Sequence, residues 1–422
     1  MTLRVVIGLI IFIATLALIV IRPRGVTEAI AALSGAAVLL LGGFIGPVEA
    51  LRTLGSEWNV YGFFLGLMTI SALADHAGVF EALTQLAARQ AGGSALRLYL
   101  GVFLVGVVIT AFLSNDATAL ILTPVVYALV TRLRLPALPF MFACTFIADT
   151  ASFLLPVSNP INILVLDAFG GDLGVFLRFL LLPALACITL NIAVFVWLFH
   201  GDLRLSYEPG AIEVTARPRQ FRFTLVALGL IALGYIAASA AQVPLSLVAL
   251  GGAALLLAGA AWYRQLEWGR VRREISWSLF GFISGMFIAV RAMEDLGVTR
   301  AFGQGLLRLG GGSASGAILL TTLGTALGAN LINNVPMALV MISTLQTIHI
   351  APGAHQALVY SVMLGADLGP NLTTVGSLAT MLWLLILRRK GLDISTLDYI
   401  KLGLTVVPVM LVVGALLIWL RL

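Results

Sequence analysis

The sequence predicts an all-α polytopic membrane protein. It contains two inverted repeats, about ten transmembrane helices and two re-entrant helical hairpins, with discontinuous helices at a shared site. Three observations predict this. Apolar residues make up 60% of the 422-residue chain and charged residues only 10%, with a mean hydropathy of +1.06; soluble domains carry about 25% charged residues. Hydrophobic runs of about 20 residues recur along the whole length. Finally, one polar unit occurs twice, 218 residues apart.

The apolar spans read as 3–21, 26–46, 57–74, 137–168, 175–198, 222–241, 244–262, 276–292, 355–387 and 400–421. The first run lacks a small-x-small cleavage site and continues through Arg22-Pro23-Arg24 into another apolar run, so it reads as a span rather than a cleavable signal. Two further stretches, 97–132 and 314–350, are broken by Ser114-Asn115-Asp116 and by Asn333-Asn334-Val335-Pro336. Each reads either as two crossings or as one hairpin that returns to its own side. Arms of about 16 residues fall short of the ~20 a crossing needs, and a polar tip fits a hairpin buried in protein.

With hairpins, ten spans and an external N-terminus, 18 of the 25 basic residues fall inside: Arg22, Arg24, Arg89, Arg97, Arg132, Arg134, Arg204, Arg217, Arg219, Arg222, Arg264, Arg270, Arg272, Arg273, Arg388, Arg389, Lys390 and Lys401. That is the bias of the positive-inside rule, and it explains the net charge of +6 without nucleic acid or another acidic partner. The repeats are then inverted. The implied divisions are 1–56 (scaffold helices), 57–200 (repeat 1, with hairpin 97–132 and broken helix 137–168), 201–221 (a basic linker on the inner face), 222–275 (two scaffold helices) and 276–422 (repeat 2, with hairpin 314–350 and broken helix 355–387). Segments 75–94 and 293–313 are more polar and read as interfacial helices linking fixed and moving parts; ordinary amphipathic loops are the alternative.

The two copies align residue by residue. Asn115 falls on Asn333 and Asp149 on Asp367, both at an offset of 218. Upstream, at 219, Trp58, Gly62, Phe63 and Gly66 fall on Trp277, Gly281, Phe282 and Gly285, and Gly92-Gly93-Ser94 on Gly311-Gly312-Ser313. Asp116, Asp149 and Asp367 lie in apolar surroundings, where an ionisable side chain defaults to a functional role such as proton binding and release. The alternative is that each Asp only caps a broken helix.

Beyond each Asp lies a second breaking motif: Pro156-Val157-Ser158-Asn159-Pro160-Ile161-Asn162 in copy one, and Thr373-Thr374-Val375-Gly376-Ser377-Leu378-Ala379-Thr380 in copy two. Such residues interrupt a membrane helix and leave backbone groups free for a ligand; a plain proline kink is the alternative. The candidate substrate-binding residues are therefore Ser114, Asn115, Asp116, Thr118, Ser158, Asn159, Asn162, Asn333, Asn334, Thr373, Thr374, Gly376 and Ser377, with Asp116, Asp149 and Asp367 as candidate proton-coupling groups. No Lys or Arg lies within 98–131, 135–177 or 309–387. A site of amides, hydroxyls and carboxylates suits a neutral polyhydroxyl solute or a cation better than a multiply charged anion. The only cysteines, Cys144 and Cys187, lie in separate apolar runs, so no disulfide framework or thiolate metal centre is expected, nor any cofactor. His349 and His355 read as loop histidines.

Phe112-Leu113-Ser114-Asn115-Asp116, Ile147-Ala148-Asp149-Thr150-Ala151-Ser152 with Ser158-Asn159-Pro160-Ile161-Asn162, and Asp367-Leu368-Gly369-Pro370 with Gly376-Ser377 through Trp383 resemble the ArsB-type arsenite efflux pumps of the ion transporter superfamily. The resemblance implies scaffold and transport parts, and export of arsenite or antimonite in exchange for protons across the inner membrane. It also implies operation either alone or beside a soluble arsenite-stimulated ATPase. Ala117 and Thr118 stand where the pumps often carry a small pair, and Asn371 where a Lys is common, which leaves substrate preference open. Trivalent arsenite is an uncharged trihydroxide in neutral water, and Asn115, Asn159, Asn162, Asn333 and Ser377 offer it donors and acceptors.

Three rivals follow from the same residues. A sodium-coupled carboxylate carrier would use the same motifs, and a passive channel would need no gradient. An intramembrane aspartyl protease would show Tyr-Asp and Gly-x-Gly-Asp, whereas Ala148 precedes Asp149 and Leu364-Gly365-Ala366 precedes Asp367.

Overall fold

The computed structural model describes residues 2–21, 26–208, 218–310, 313–348 and 351–422. Arg22, Pro23, Arg24, Pro209, Arg217, Gly311, Gly312 and His349 lie outside the described residues.

The first half runs through α1 (Leu3–Ile21), α2 (Glu28–Leu41), the short α3 (Pro47–Ser56), α4 (Trp58–His76) and α5 (Val79–Gln90). Gly78, at φ 80°, turns the chain between α4 and α5 by 57°, a left-handed conformation open to glycine at little cost. The chain continues into α6 (Ala95–Phe112), α7 (Asn115–Ala117), a π-helical turn over 118–122, α8 (Thr123–Arg132), α9 (Ala137–Thr150), α10 (Pro160–Phe169), α11 (Leu173–Leu198) and α12 (His200–Leu203). The second half repeats this order. It comprises α13 (Pro218–Ala240), α14 (Leu245–Trp262), α15 (Trp268–Glu274), α16 (Trp277–Asp295), α17 (Val298–Leu309), α18 (Ala314–Ile332), α19 (Asn334–Thr347), α20 (Pro352–Leu368), α21 (Leu378–Arg389) and α22 (Thr396–Trp419).

Both polar interruptions are hairpins. α5 packs on the start of α6, where a methyl on Gly101 would meet Ala87, and also on α8, with Glu81, Thr84 and Gln85 facing Ala128, Leu129 and Arg132. One amphipathic helix therefore touches both ends of 95–132, so the chain returns to its starting side. In the second half α17 plays the same part. It packs on α18, and on the end of α19 Ser343 Oγ donates to Thr299 Oγ1 (3.1 Å). The interfacial helices expected at 75–94 and 293–313 are thus α5 and α17.

Among the described residues, eight helices are long and apolar enough to cross a membrane, nine if α4 and α5 count as one bent span. Two of the eight, α6 and α18, are hairpin arms. Three crossings need shorter pieces: α2 has 14 residues, and α9–α10 and α20–α21 are each split by a break. The crossings are then α1, α2, α4, α9–α10, α11, α13, α14, α16, α20–α21 and α22.

The frame around the hairpins is doubly symmetric. α4 lies against α14 and α16 against α2. A methyl on Gly66 would come within 2.5 Å of the Ala249 backbone, and one on Gly285 within 2.4 Å of the Ala32 backbone. Glycine is required at both crossings because backbone meets backbone there, the close approach by which membrane helices gain packing energy. Basic loops gather at one face: Ala95 N donates to Leu205 O beside the base of hairpin 1, and Tyr127 lies under Lys390.

Candidate functional site

Each hairpin tip is built by its own polar residues. At the first, Ser114 Oγ accepts from Ala117 N (3.1 Å) and the Thr110 and Thr118 hydroxyls bond at 2.7 Å, joining the arms. Thr118 is thereby occupied inside the hairpin. The π-helical turn that follows is a feature often found at functional sites. At the second tip Asn333 takes φ 75° and its Oδ1 accepts from Val335 N (3.3 Å). Asn334 N donates to Gly376 O (3.0 Å), tying this tip to the break of the neighbouring helix.

The two broken helices meet at their breaks. The second piece of each is capped by the residue the repeat aligns: Asn159 Oδ1 accepts from Ile161 N (3.0 Å), and Ser377 Oγ accepts from Thr380 N (3.1 Å). Both half-helix N-termini therefore present their positive ends near the crossing. Asn159 has a second role, with Nδ2 donating to Asp367 Oδ1 at 2.8 Å. This bond joins copy one to copy two. Asn371 adds another, with Nδ2 donating to Phe146 O (3.0 Å), while Asn191 Nδ2 holds Thr150 Oγ1 (2.9 Å).

Several predicted residues serve the breaks themselves. Asn162 Nδ2 donates to Ser152 O (2.8 Å) and Leu155 O (3.3 Å), and Ser158 Oγ donates to Ala111 O (3.3 Å). Thr373 Oγ1 donates to Asn330 Oδ1 (2.7 Å), and Asn330 Nδ2 reaches Gly369 O (2.7 Å). Thr374 is buried beside them. A methyl on Gly376 would lie 2.5 Å from Pro370 Cα, so the break closes only around glycine.

Asp149 and Asp367 remain. They are 1% and 0% exposed, and among the described residues no basic side chain pairs with them. Both Asp149 carboxylate oxygens and Asp367 Oδ2 lack hydrogen-bond partners, as do Asn115 Oδ1, Asn162 Oδ1 and Asn371 Oδ1. Asn115 and Asp116 lie within electrostatic reach of Asp149, and Asp149 within reach of Asp367. An ionised carboxylate so enclosed costs several kcal/mol unless a proton or cation joins it. Tyr399 of α22, fully buried with an unpartnered hydroxyl, also stands within reach of Asp149. It escaped the sequence reading because one tyrosine in an apolar run gives no signal.

Asp116 differs from the other two acids. With Ser114 it lines a cavity of about 530 Å³ that extends past Leu120, Ile121, Pro124 and Pro160 to Asp75 and Glu274 at the basic face. Among the lining residues there is no Lys or Arg. A second cavity of about 540 Å³ opens at the opposite face, between α3, α10, α16 and α19. The two are counterparts by the repeat: Met68, Ala72 and Asp75 of the first fall on Phe287, Arg291 and Glu294 of the second, and Ile121, Pro124 and Val125 on Leu339, Ile342 and Ser343. The first reaches its hairpin tip; the second stops at Leu339, short of Asn333 and Asn334. On α10 the first is lined by Pro160 and the second by Leu164. One turn of helix, about 6 Å, separates those positions.

Cys144 and Cys187 are both fully buried and unbridged. Among the described residues no group of three His, Cys, Asp or Glu is placed to hold a metal ion.

Comparison with known proteins agrees with this architecture. The profile of the ArsB family, described as "Arsenical pump membrane protein", matches residues 7–420. The Arsenical pump membrane protein of Escherichia coli (strain K12) is 30% identical over 410 residues, covering 95% of this chain and 96% of the relative. That of Yersinia enterocolitica is 31% identical over 414 residues, with the same coverage, and a 46 kDa membrane protein of Mycobacterium leprae is 28% identical over 430 residues, 99% of this chain and 98% of its own. Among solved structures, the Alcanivorax borkumensis YdaH transporter superposes with a TM-score of 0.58 at 15% identity, covering 99% and 98% of the two chains. Neisseria gonorrhoeae MtrF, described among antimetabolite efflux pumps, gives 0.54 at 12% identity, covering 99% and 94%; both likenesses concern the fold. The chain belongs to the ArsB family of arsenical pump membrane proteins, and is a multi-pass transporter of the inner membrane rather than an enzyme.

Proposed function

We propose that this protein exports trivalent arsenite or antimonite in exchange for protons, by alternating access. The observation that carries this reading is the pair of repeat-related cavities, one per membrane face, of which only one reaches a hairpin tip. By the positive-inside rule the face with the basic loops is cytoplasmic, so the arrangement is inward-facing. Solute enters past Asp75 and Glu274 to Ser114 and Asp116. The hairpins and broken helices then move against the frame of α1–α4 and α13–α16, closing the inner vestibule and extending the outer one.

The solute follows from the lining. A neutral trihydroxide needs donors and acceptors but no counter-ion, and the inner vestibule is lined by hydroxyls and carboxylates, with Arg270 at its mouth already held by Asp75 (2.9 Å) and Glu274 (2.8 Å). No Lys or Arg is among the lining residues that run inward to Ser114 and Asp116, which weighs against a carboxylate substrate, for which a buried anion would need charge-assisted partners. Asp149 and Asp367 supply the coupling: unpaired and enclosed, they carry protons inward when the site returns empty, and Asp116 exchanges them with the inner vestibule. Arsenite-sensitive bacteria expressing the chain should gain resistance that is lost with Asp149→Asn. Equal resistance in wild type and variant would overturn the reading.

A further inference from the structure

Each vestibule holds an acid pair, but Arg270 bridges the inner one, bonding Asp75 (2.9 Å) and Glu274 (2.8 Å), whereas the outer pair has no such bridge among the described residues. Glu57, at the start of α4, and Asp167, near the outer end of α10, both line the outer vestibule within electrostatic reach of each other. We propose that Glu57 and Asp167 form a proton-operated clasp across the outer vestibule. A shared proton joins the α3–α4 frame to the half-helix α10, and the two sides part when both acids are ionised. The clasp rests on the alternating-access reading and adds an outer gate to it.

Position is the first support. α10 carries Asp167 near one end and Pro160 at the other, beside the Asn159 that holds Asp367, so a displacement of Asp167 is transmitted along one rigid helix to the buried acids. Asn59, two residues after Glu57, donates to Asp167 and already bridges α4 and α10. The second support is asymmetry. By the repeat, Glu57 falls on Ser276 and Asp167 on Leu385, and the acids at the inner mouth, Asp75 and Glu274, are held together by Arg270, so a clasp at these positions is confined to the outer face.

The surrounding charges are otherwise engaged. From α3, Glu49 pairs with Arg52 (3.5 Å) and with Arg291 (3.1 Å); from α16, Arg291 also pairs with Glu294 (3.1 Å) and Asp295 (3.5 Å). α19 contributes only the uncharged Ser343 and Gln346, and α4 adds Tyr61. Beyond α10, Asp172 is occupied in capping α11 (2.9 Å). Burial, and then the nearby Asp167 carboxylate, push the Glu57 carboxyl up to about 7. Glu57 is therefore neutral below that pH and ionised above it, so an acidic exterior closes the clasp after protons have loaded, and an alkaline exterior holds it open.

The test reads accessibility, independently of transport. Gln346→Cys places an exposed thiol in the outer vestibule, while the buried native Cys144 and Cys187 stay silent. Labelling by a membrane-impermeant thiol reagent is measured at pH 6 and pH 8 with Glu57 intact and with Glu57→Gln; the ratio cancels the thiol's own titration. The expected ratio is at least about threefold at pH 8 and near one at pH 6, with Glu57→Asp restoring the dependence. A ratio that does not change between the two pH values overturns the clasp. Gradient-driven arsenite flux in the same membranes tests the transport reading separately: its absence from wild type overturns export and leaves the labelling result to decide the clasp.

Discussion

The two vestibules are one design in two states. Asp75 and Glu294 occupy matching positions at their mouths, and the matching positions 121/339, 124/342 and 125/343 line their hairpin walls. Yet the inner cavity reaches Ser114 and Asp116, while the outer ends above Asn333 and Asn334. Equivalent sequence in inequivalent surroundings is what an inverted repeat offers a carrier: each half supplies the conformation that the other half has left. The chemistry is asymmetric as well. Copy one carries an acid at its tip where copy two carries an amide, and only the outer mouth has the Glu57–Asp167 pair. Shape alternates between the halves, whereas their acids are unequally distributed.

The largest effect should come from removing what both states share. Asp149→Asn or Asp367→Asn should each lower gradient-driven arsenite flux by at least about tenfold, since a proton-coupling acid has no uncharged substitute; flux above half of wild type would place coupling elsewhere. Accessibility probes the difference directly. Leu120→Cys on the inner cavity wall should react with a hydrophilic thiol reagent about tenfold faster than its counterpart Ala338→Cys, which is fully buried. Similar rates would show that the two cavities are equally deep.

A smaller change is expected from Asp116→Asn, which gives hairpin 1 the amide of hairpin 2. Arsenite flux should persist, reduced about threefold to tenfold, with a weaker dependence on inner pH; an unchanged pH profile would remove Asp116 from the proton route. The smallest contrast concerns the frame. Gly66→Ala and Gly285→Ala each drive a methyl into an opposing backbone, so both should destabilise the protein by about 1–3 kcal/mol, and by similar amounts. A large difference in the detergent thermal stability of these two variants would mean that the frame is not symmetric in energy.

The helical hairpins, both broken helices and the offset of 218 were legible because each is marked by polar residues in an apolar chain. Asn159 and Ser377 could be paired on that offset alone, and the structure makes both of them caps. Less was legible where apolar residues do the work. The α2–α16 and α4–α14 crossings set Gly285 and Gly66, which the offset of 219 aligned, against Ala32 and Ala249, and those alanines resemble any others in an apolar run. The ten crossings were readable as hydrophobic runs, yet three of them are short or split helices that hydropathy alone could not divide. Tyr399, Asn191 and Asn330 reach the site from helices whose sequence gives no hint of direction. The cavities, finally, are properties of packing, so Glu57 and Asp167 acquire meaning only when the fold brings α4 and α10 together.

The most direct measurement is arsenite accumulation in everted membrane vesicles with an imposed pH difference. An acidic lumen should drive arsenite inward against its gradient. A protonophore should abolish that accumulation, as should Asp149→Asn. Accumulation that ignores the pH difference, or simple equilibration that survives its collapse, would contradict proton-coupled export through the Asp149–Asp367 site.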